Sequence, residues 1–119
     1  MKKESQAILL WIFIGESDRY KGKSLYIHIL EMLKNDGMAE VTVFRGIAGF
    51  GKHSHFHTTS ILQLSTDLPI LLEIADLEEK IDKIKPKLDE IITQGLITEE
   101  KIKIIFYEYD KKTWNPSNI

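Results

Sequence analysis

The sequence predicts an α+β domain in which a four-stranded antiparallel sheet carries two helices on one face. Short apolar runs and stretches with helical spacing alternate in the order strand, helix, strand, strand, helix, strand. The chain has 119 residues, which suits one domain with a substantial core. We therefore expect a single domain over residues 1–119.

The first strand and the first helix follow from hydrophobic spacing. Residues 7–14, AILLWIFI, are all apolar and too few for a helix of ordinary length, which indicates a strand buried on both faces. Leu25, Ile29 and Leu33 recur every four residues, a spacing typical of an amphipathic helix, and Gly37 supplies a stop.

Two further strands flank a long connection. Residues 40–44 are predicted to form the second strand and residues 68–75 the third, in which Pro69 is tolerable only near the beginning. Residues 61–64 offer a short additional strand on the return side of the connection. We expect the segment 51–66 to be a flexible loop, because its small polar residues can bury little apolar surface.

The second helix is predicted from Asp76 to Gly95. Asp76 and Glu79 have the D-x-x-E form of a capping box. Pro86 falls opposite the apolar stripe, where we expect a kink. The stripe consists of Leu77, Ile81, Ile84, Leu88 and Ile91.

A last strand at 101–109 and a tail at about 110–119 complete the order βαββαβ, which is the ferredoxin-like arrangement. Two helices cover one sheet face only, yet the first and third strands are apolar on both faces. The uncovered face needs a partner, and a homo-oligomer packed through its sheets is the simplest solution.

The composition narrows the class of protein. Lys and Arg number 16 against 18 acidic residues, a formal charge of −2, which argues against a nucleic-acid binder because such domains are usually basic. Cysteine is absent, which excludes disulfides and thiolate metal sites and fits a reducing cytosol. The run 7–14 is too short to span a bilayer, and no small-residue cleavage site follows it. We expect a soluble cytoplasmic protein without membrane insertion.

Residues 44–57, FRGIAGFGKHSHFH, form the strongest candidate for a binding segment. Three glycines and five basic or imidazole side chains follow directly after a β-branched strand. Glycines let backbone N–H groups turn toward an anion, and Arg45 and Lys52 supply the opposite charge. The pattern predicts a phosphate-binding loop; the alternative is a flexible hairpin connection whose polar residues keep the chain soluble.

Three segments in order resemble a known family. They are GESDRYKGKSLY at 15–26, AEVTVFRGIAGFG at 39–51 and STDLPILLEIAD at 65–76. Together they look like the bacterial and archaeal domain-of-unknown-function family 190, relatives of the PII signalling proteins, over roughly residues 8–107. The resemblance implies a ferredoxin-like homotrimer. It also implies adenine nucleotides in the clefts between neighbouring subunits, beneath a long mobile loop that joins the second and third strands.

Within that resemblance the nucleotide-binding residues carry over in part. The segment 49–52, GFGK, is similar to the glycine-phenylalanine-glycine-basic segment at the base of the PII nucleotide-binding loop. Thr42-Val43 is similar to the threonine-valine pair in the strand before that loop. On the opposing side PII proteins place glycine-aspartate-glycine-lysine, whereas residues 95–101 are GLITEEK, so only Lys101 matches. The expected ligand-binding residues are Thr42, Arg45, Gly46, Gly49, Phe50, Gly51, Lys52, Ile97, Thr98, Lys101 and Lys103.

The departures from the PII pattern bear on the nucleotide. Two lost glycines and two added glutamates, Glu99 and Glu100, leave fewer phosphate-facing N–H groups and more negative charge. AMP or ADP is therefore expected in preference to ATP. No tyrosine lies between Gly51 and Pro69, so the tyrosine modification of PII relatives has no acceptor here.

Two other functions stay open in the sequence. His53, His55 and His57 alternate, so in an extended chain they could bind zinc or copper; the alternative is three solvated histidines. An enzyme lacks support, since no Ser-His-Asp order, complete P-loop or paired carboxylates stand out, and Glu16 and Asp18 could cap the following turn. We expect a nucleotide-sensing regulatory protein, not an enzyme, that requires no cofactor and acts on an unidentified transporter or enzyme.

Overall fold

The computed structural model describes residues 2–50 and 67–108, and its main elements follow the predicted order. In chain order the elements are β1 (Lys2–Gly15), β2 (Arg19–Tyr20), β3 (Lys23–Ser24), α1 (Leu25–Asn35), β4 (Glu40–Arg45), β5 (Pro69–Asp76), α2 (Glu78–Ile91) and β6 (Leu96–Tyr107). Four strands form one antiparallel sheet in the order β4-β5-β1-β6, while β2 pairs with β3 separately. The ferredoxin-like α+β prediction is confirmed. The predicted loop at 51–66 and the predicted tail lie outside the described residues.

One face of the sheet is buried beneath both helices. Alternate residues of β1 from Ile8 to Ile14 and of β5 from Ile70 to Ile74 form the sheet side of this core. α1 contributes the predicted stripe of Leu25, Ile29 and Leu33. α2 contributes Ile81, Ile84, Leu88 and Ile91. The hydrophobic periodicity therefore identified the buried side of each helix.

The opposite face of the sheet, here called the open face, carries neither helix. It carries five large apolar side chains around the polar pair Thr42 and Glu73: Leu9, Trp11, Phe13, Phe44 and Leu71. Trp11 is 37% exposed and Phe44 is 47% exposed. The rings of Trp11 and Phe13 meet edge to face with their centroids 6.3 Å apart. β1 is therefore apolar on both faces, as predicted, and the described residues of one chain cover only one of them.

β1 and β6 are both longer than their apolar runs predict. The predicted strands begin at Ala7 and Lys101, whereas β1 begins at Lys2 and β6 at Leu96. β5 reaches β1 only as far as Ile8, so among the described strands the first six residues of β1 pair with β6 alone. Backbone pairing needs no apolar side chain, which is why the polar start of the chain gave no hydrophobic signal.

The predicted capping box at the start of α2 is wrong. The N-cap residue is Leu77, whose side chain makes no capping hydrogen bond. Asp76 is only 2% exposed. Its Oδ2 accepts the backbone N–H of Ala39 at 2.7 Å, and its Oδ1 accepts that of Leu77 at 2.7 Å. The carboxylate thus ties the chain entering β4 to the chain entering α2.

Both helices are short. α2 ends at Ile91 rather than at the predicted Gly95, because Ile92 is already extended with φ −94° and ψ 115°. Pro86 lies inside α2 on its exposed side, as the apolar stripe predicts. Over residues 2–50 and 67–108, no helix is long and apolar enough to cross a membrane.

Asp76→Ala is expected to lower the free energy of unfolding by about 1 to 3 kcal/mol, because two backbone N–H groups lose their buried acceptor. Urea denaturation followed by circular dichroism measures the change. Asp89→Ala, on the exposed side of α2, is the matched control and should alter stability by less than about 0.5 kcal/mol. An Asp76→Ala protein as stable as the wild type would show that the hydrogen bonds to Ala39 and Leu77 make no net contribution to the free energy of unfolding.

Candidate functional site

The predicted ligand-binding residues of the second strand lie on β4, which among the described strands is an edge strand paired with β5. Thr42 is half-buried on the open face, and its hydroxyl donates to Glu40 Oε1 at 3.3 Å. Arg45 is the last residue of β4, and its side chain is 61% exposed. Because side chains alternate along a strand, Arg45 projects from the face opposite to Thr42. The two predicted ligand-binding side chains therefore lie on opposite faces of the sheet.

Gly46 and Gly49 both pack closely against Pro69. An ideal Cβ at Gly46 would lie 3.0 Å from Pro69 Cγ, and one at Gly49 would lie 2.9 Å from the same atom. The Gly46 N–H donates to the Pro69 carbonyl at 2.7 Å. A side chain at Gly49 would force a local shift against the Pro69 ring, and one at Gly46 would make an unusually tight contact with it. The Gly46 N–H is thus engaged within the protein, contrary to the expectation that it faces an anion.

Ile47 and Phe50 form an apolar rim beyond β4. Ile47 is 94% exposed and Phe50 is 77% exposed. An aromatic ring in this position is suited to stacking against a nucleobase or against a second protein chain. Phe50 therefore remains a candidate ligand-binding residue on physical grounds.

Several predicted site residues lie outside the described residues. They are Gly51 and Lys52 of the expected phosphate loop, together with His53, His55 and His57 of the alternative metal site. Among the side chains that the structure describes, no group of three His, Asp or Glu residues could hold a metal ion.

Arg45 forms an ion pair with Glu16 that the sequence reasoning missed. The guanidinium Nη2 contacts Glu16 Oε2. Glu16 directly follows β1, and its backbone N–H donates to the Leu68 carbonyl at 2.8 Å. The ends of β1 and β4 both pair with the first residues of β5, which brings the two charges together. The opposite charges at these strand ends were visible in the sequence, but their meeting could be read only from the strand order.

The predicted residues of the opposing side lie on β6, the other edge strand. Three of them share the helix side of that strand: Ile97, Lys101 and Lys103. Thr98 lies on the open face, opposite Trp11. These four residues extend along more than half of the strand, so they form a line rather than a cluster.

The two glutamates that depart from the PII pattern differ in their surroundings. Glu99 forms an ion pair with Lys85 of α2, and this hydrogen bond raises the pKa of Lys85. Lys85 is therefore charged at neutral pH. The stability that its ion pair with Glu99 adds to the fold is lost only when the pH rises above the ordinary lysine pKa of 10.5. Glu100 lies exposed on the open side of β6. The charge of Glu99 is thus partly offset by a neighbouring lysine, whereas Glu100 faces solvent.

One chain does not bring the two predicted halves of the site together. β4 and β6 are separated by β5 and β1, which places them roughly 14 Å apart at the usual spacing between strands. Arg45 pairs with Ile70 at one edge, whereas Lys101 pairs with Ile8 at the other. A site that uses both edges therefore requires two copies of the chain.

A shallow cleft elsewhere in the structure does not offer a phosphate site. It encloses about 400 Å³ between the start of β1 and the start of α2. Its lining includes three carboxylates, Glu78, Glu79 and Asp82, which would repel a phosphate. The predicted ligand-binding residues lie outside its lining.

Comparison with known sequences gives a family assignment. The DUF190 family, described as Uncharacterized ACR, matches residues 7–104. A UPF0166 protein of Methanocaldococcus jannaschii is 39% identical over 93 residues, covering 77% of this chain and 85% of that protein. A UPF0166 protein of Aquifex aeolicus is 41% identical over 100 residues, covering 82% of this chain and 92% of that protein.

Solved structures show the same fold. CPII from Thiomonas intermedia K12, a nitrogen regulatory PII-like protein bound to ADP, AMP and bicarbonate, gives a TM-score of 0.56 at 16% identity, over 86% of this chain and 91% of that chain. The apo form of CPII gives a TM-score of 0.53 at 14% identity, over 90% of this chain and 100% of that chain. The chain therefore belongs to the DUF190 family of UPF0166 proteins and has a PII-like fold.

Proposed function

We propose that the chain is a cytoplasmic PII-like regulatory protein that binds an adenine nucleotide in clefts between adjacent copies of itself. The observation that carries the proposal is the placement of the candidate residues on both edges of one sheet. The β4 edge of one copy can face the β6 edge of the next, and repeated contacts of this kind close into a ring. A ring of three is the homotrimer that the PII resemblance implies, and each contact completes one site.

The open face supplies contact area for this assembly. Burying one Leu or Phe side chain is worth roughly 1.5 to 3 kcal/mol. Leu9, Phe13 and Leu71 are half-buried within one chain, and Trp11 and Phe44 remain more exposed. A second copy that covers these side chains removes apolar surface from water, which favours association.

Glu73 constrains how the copies pack. It is half-buried on the open face, between Trp11 of β1 and Thr42 of β4 in the strand register. A buried carboxylate without a hydrogen-bond partner is costly. The assembly must therefore leave Glu73 hydrated or bring a donor to it, which selects among possible arrangements of the open faces.

AMP or ADP is the ligand that we favour. Arg45 on the β4 edge and Lys101 and Lys103 on the β6 edge supply cations for one or two phosphates, and the sequence adds Lys52. Glu100 projects from the open side of the β6 edge, and its negative charge disfavours a third phosphate there. The presence of ADP and AMP in the CPII structure supports an adenine nucleotide as the ligand class.

The segment 51–66 is the proposed reporter of occupancy. It connects β4 to β5 in the sequence, and the described residues that flank it are Phe50 and Asp67. A ligand shifts a conformational equilibrium by its differential affinity for the two states. Binding at the site would thereby change the surface that the segment shows to a regulated transporter or enzyme. The proposed activity is binding, without a catalytic step.

The purified protein is expected to sediment as a trimer of 13.8 kDa chains at micromolar concentration. Trp11→Glu should shift the equilibrium to monomer, because it places an unpaired charge at the centre of the open face. Asn35→Asp adds the same charge at the exposed end of α1 and should leave the trimer intact. Sedimentation equilibrium of the three proteins measures this. A monomeric wild-type protein would contradict the shared cleft.

Calorimetric titration should show tighter binding of AMP and ADP than of ATP. Lys52→Ala should weaken the binding of AMP by about 1 to 3 kcal/mol, through loss of a charge-assisted phosphate contact, without dissociating the trimer. Lys83→Ala, exposed on α2, is the control and should bind as the wild type does. An unchanged affinity in Lys52→Ala would remove Lys52 from the site, and tighter binding of ATP would overturn the proposed preference.

A further inference from the structure

Arg45 already contacts a carboxylate at the place where the proposed function needs a phosphate. We infer that Glu16 is a specificity-determining residue whose carboxylate competes with the ligand phosphates for the Arg45 guanidinium. Arg45 must leave the Glu16 carboxylate to bind a phosphate, which lowers the affinity for every nucleotide. The loss is greatest for the nucleotides with the most phosphate charge. The inference rests on the proposed function, because it concerns the same site.

Glu16 is the fixed member of the ion pair. Its side chain is 16% exposed, whereas that of Arg45 is 61% exposed. Its backbone N–H is held by the Leu68 carbonyl at 2.8 Å. Arg45 has solvent on its other side and a long flexible stem, so it can turn away from Glu16 while Glu16 stays in place.

The turn that carries Glu16 is tied down on both sides. Asp18 Oδ2 accepts the Gly15 N–H at 3.0 Å, and Asp67 Oδ1 accepts the Ser17 N–H at 3.1 Å. An ideal Cβ at Gly15 would lie only 2.7 Å from Asp67 Oδ1, so the glycine permits this close approach. The Asp18 carboxylate thus binds back to the end of β1, whereas the sequence alternative was a cap for the following turn. The Glu16 side chain instead faces Arg45.

Competition rather than joint binding follows from charge. A guanidinium has five donors, so a phosphate could in principle bind beside the carboxylate. Two anions on one cation repel each other at such short range, and the repulsion is weakly screened where one of them is largely buried. The mobile Arg45 can relieve this repulsion by following the phosphate away from Glu16.

The same charge discriminates between nucleotides. The fixed carboxylate remains near the site after Arg45 has moved, and it repels each additional phosphate group. Since Arg is always protonated in proteins, the selectivity comes from Glu16 and from the ligand, not from titration of Arg45. AMP is penalised least and ATP most.

Titration calorimetry of Glu16→Gln with AMP, ADP and ATP tests the inference. Removal of the competing charge should tighten AMP binding about two- to fivefold, the range expected for an ion pair whose arginine is exposed to solvent, and should tighten ATP binding more. The difference in affinity between AMP and ATP should therefore become smaller in Glu16→Gln. In an Arg45→Gln background the gain from Glu16→Gln should be smaller, because no guanidinium is released. Glu90→Gln, exposed on α2, removes an equal charge elsewhere and should leave all three affinities unchanged.

The outcomes separate the inference from the proposed function. If the wild-type protein binds AMP and Glu16→Gln binds it equally or more weakly, Glu16 does not compete, and the inference fails while the nucleotide site stands. If the wild type binds none of the three nucleotides, the proposed function fails and the inference fails with it. Thermal unfolding of each variant checks that it is folded, and Glu16→Ser serves in place of Glu16→Gln if the latter does not fold.

Discussion

One constraint governs the rest of the molecule: its two helices cover only one of the two faces of a four-stranded sheet. The covered face holds a closed apolar core, built on alternate residues of β1 and β5. The other face keeps Trp11 and Phe44 partly in water. The core beneath the helices is therefore closed, whereas the described residues leave the open face and both sheet edges uncovered.

That geometry also explains why the candidate site is electrostatically incomplete within one chain. At the β4 edge Arg45 is engaged by Glu16, and at the β6 edge Glu99 is engaged by Lys85. Each edge thus carries a charge that is already partly neutralised. A phosphate held between two copies would draw on cations from both edges, and its affinity would depend on how readily Glu16 releases Arg45.

Much of the fold was predictable because it depends on the spacing of apolar side chains, as the stripe from Leu25 to Leu33 shows. Features that depend on contacts between residues far apart in the sequence could not be predicted. Asp76 resembles a helix cap in the local sequence, but its carboxylate accepts a hydrogen bond from Ala39, 37 positions earlier. The glycine at position 46 fits a phosphate loop, yet its N–H is bound to the Pro69 carbonyl. The pairing of Arg45 with Glu16 likewise needed the strand order.

Complementation between two variants is the most direct test of a site shared between copies. One variant carries Arg45→Ala with Lys52→Ala, the other carries Lys101→Glu with Lys103→Glu, and neither should bind AMP alone. In randomly mixed rings, about a quarter of the contacts join two intact halves. Calorimetry of the coexpressed proteins should therefore recover about a quarter of the wild-type number of sites. Mixed oligomers of verified composition that bind no AMP would contradict the shared site.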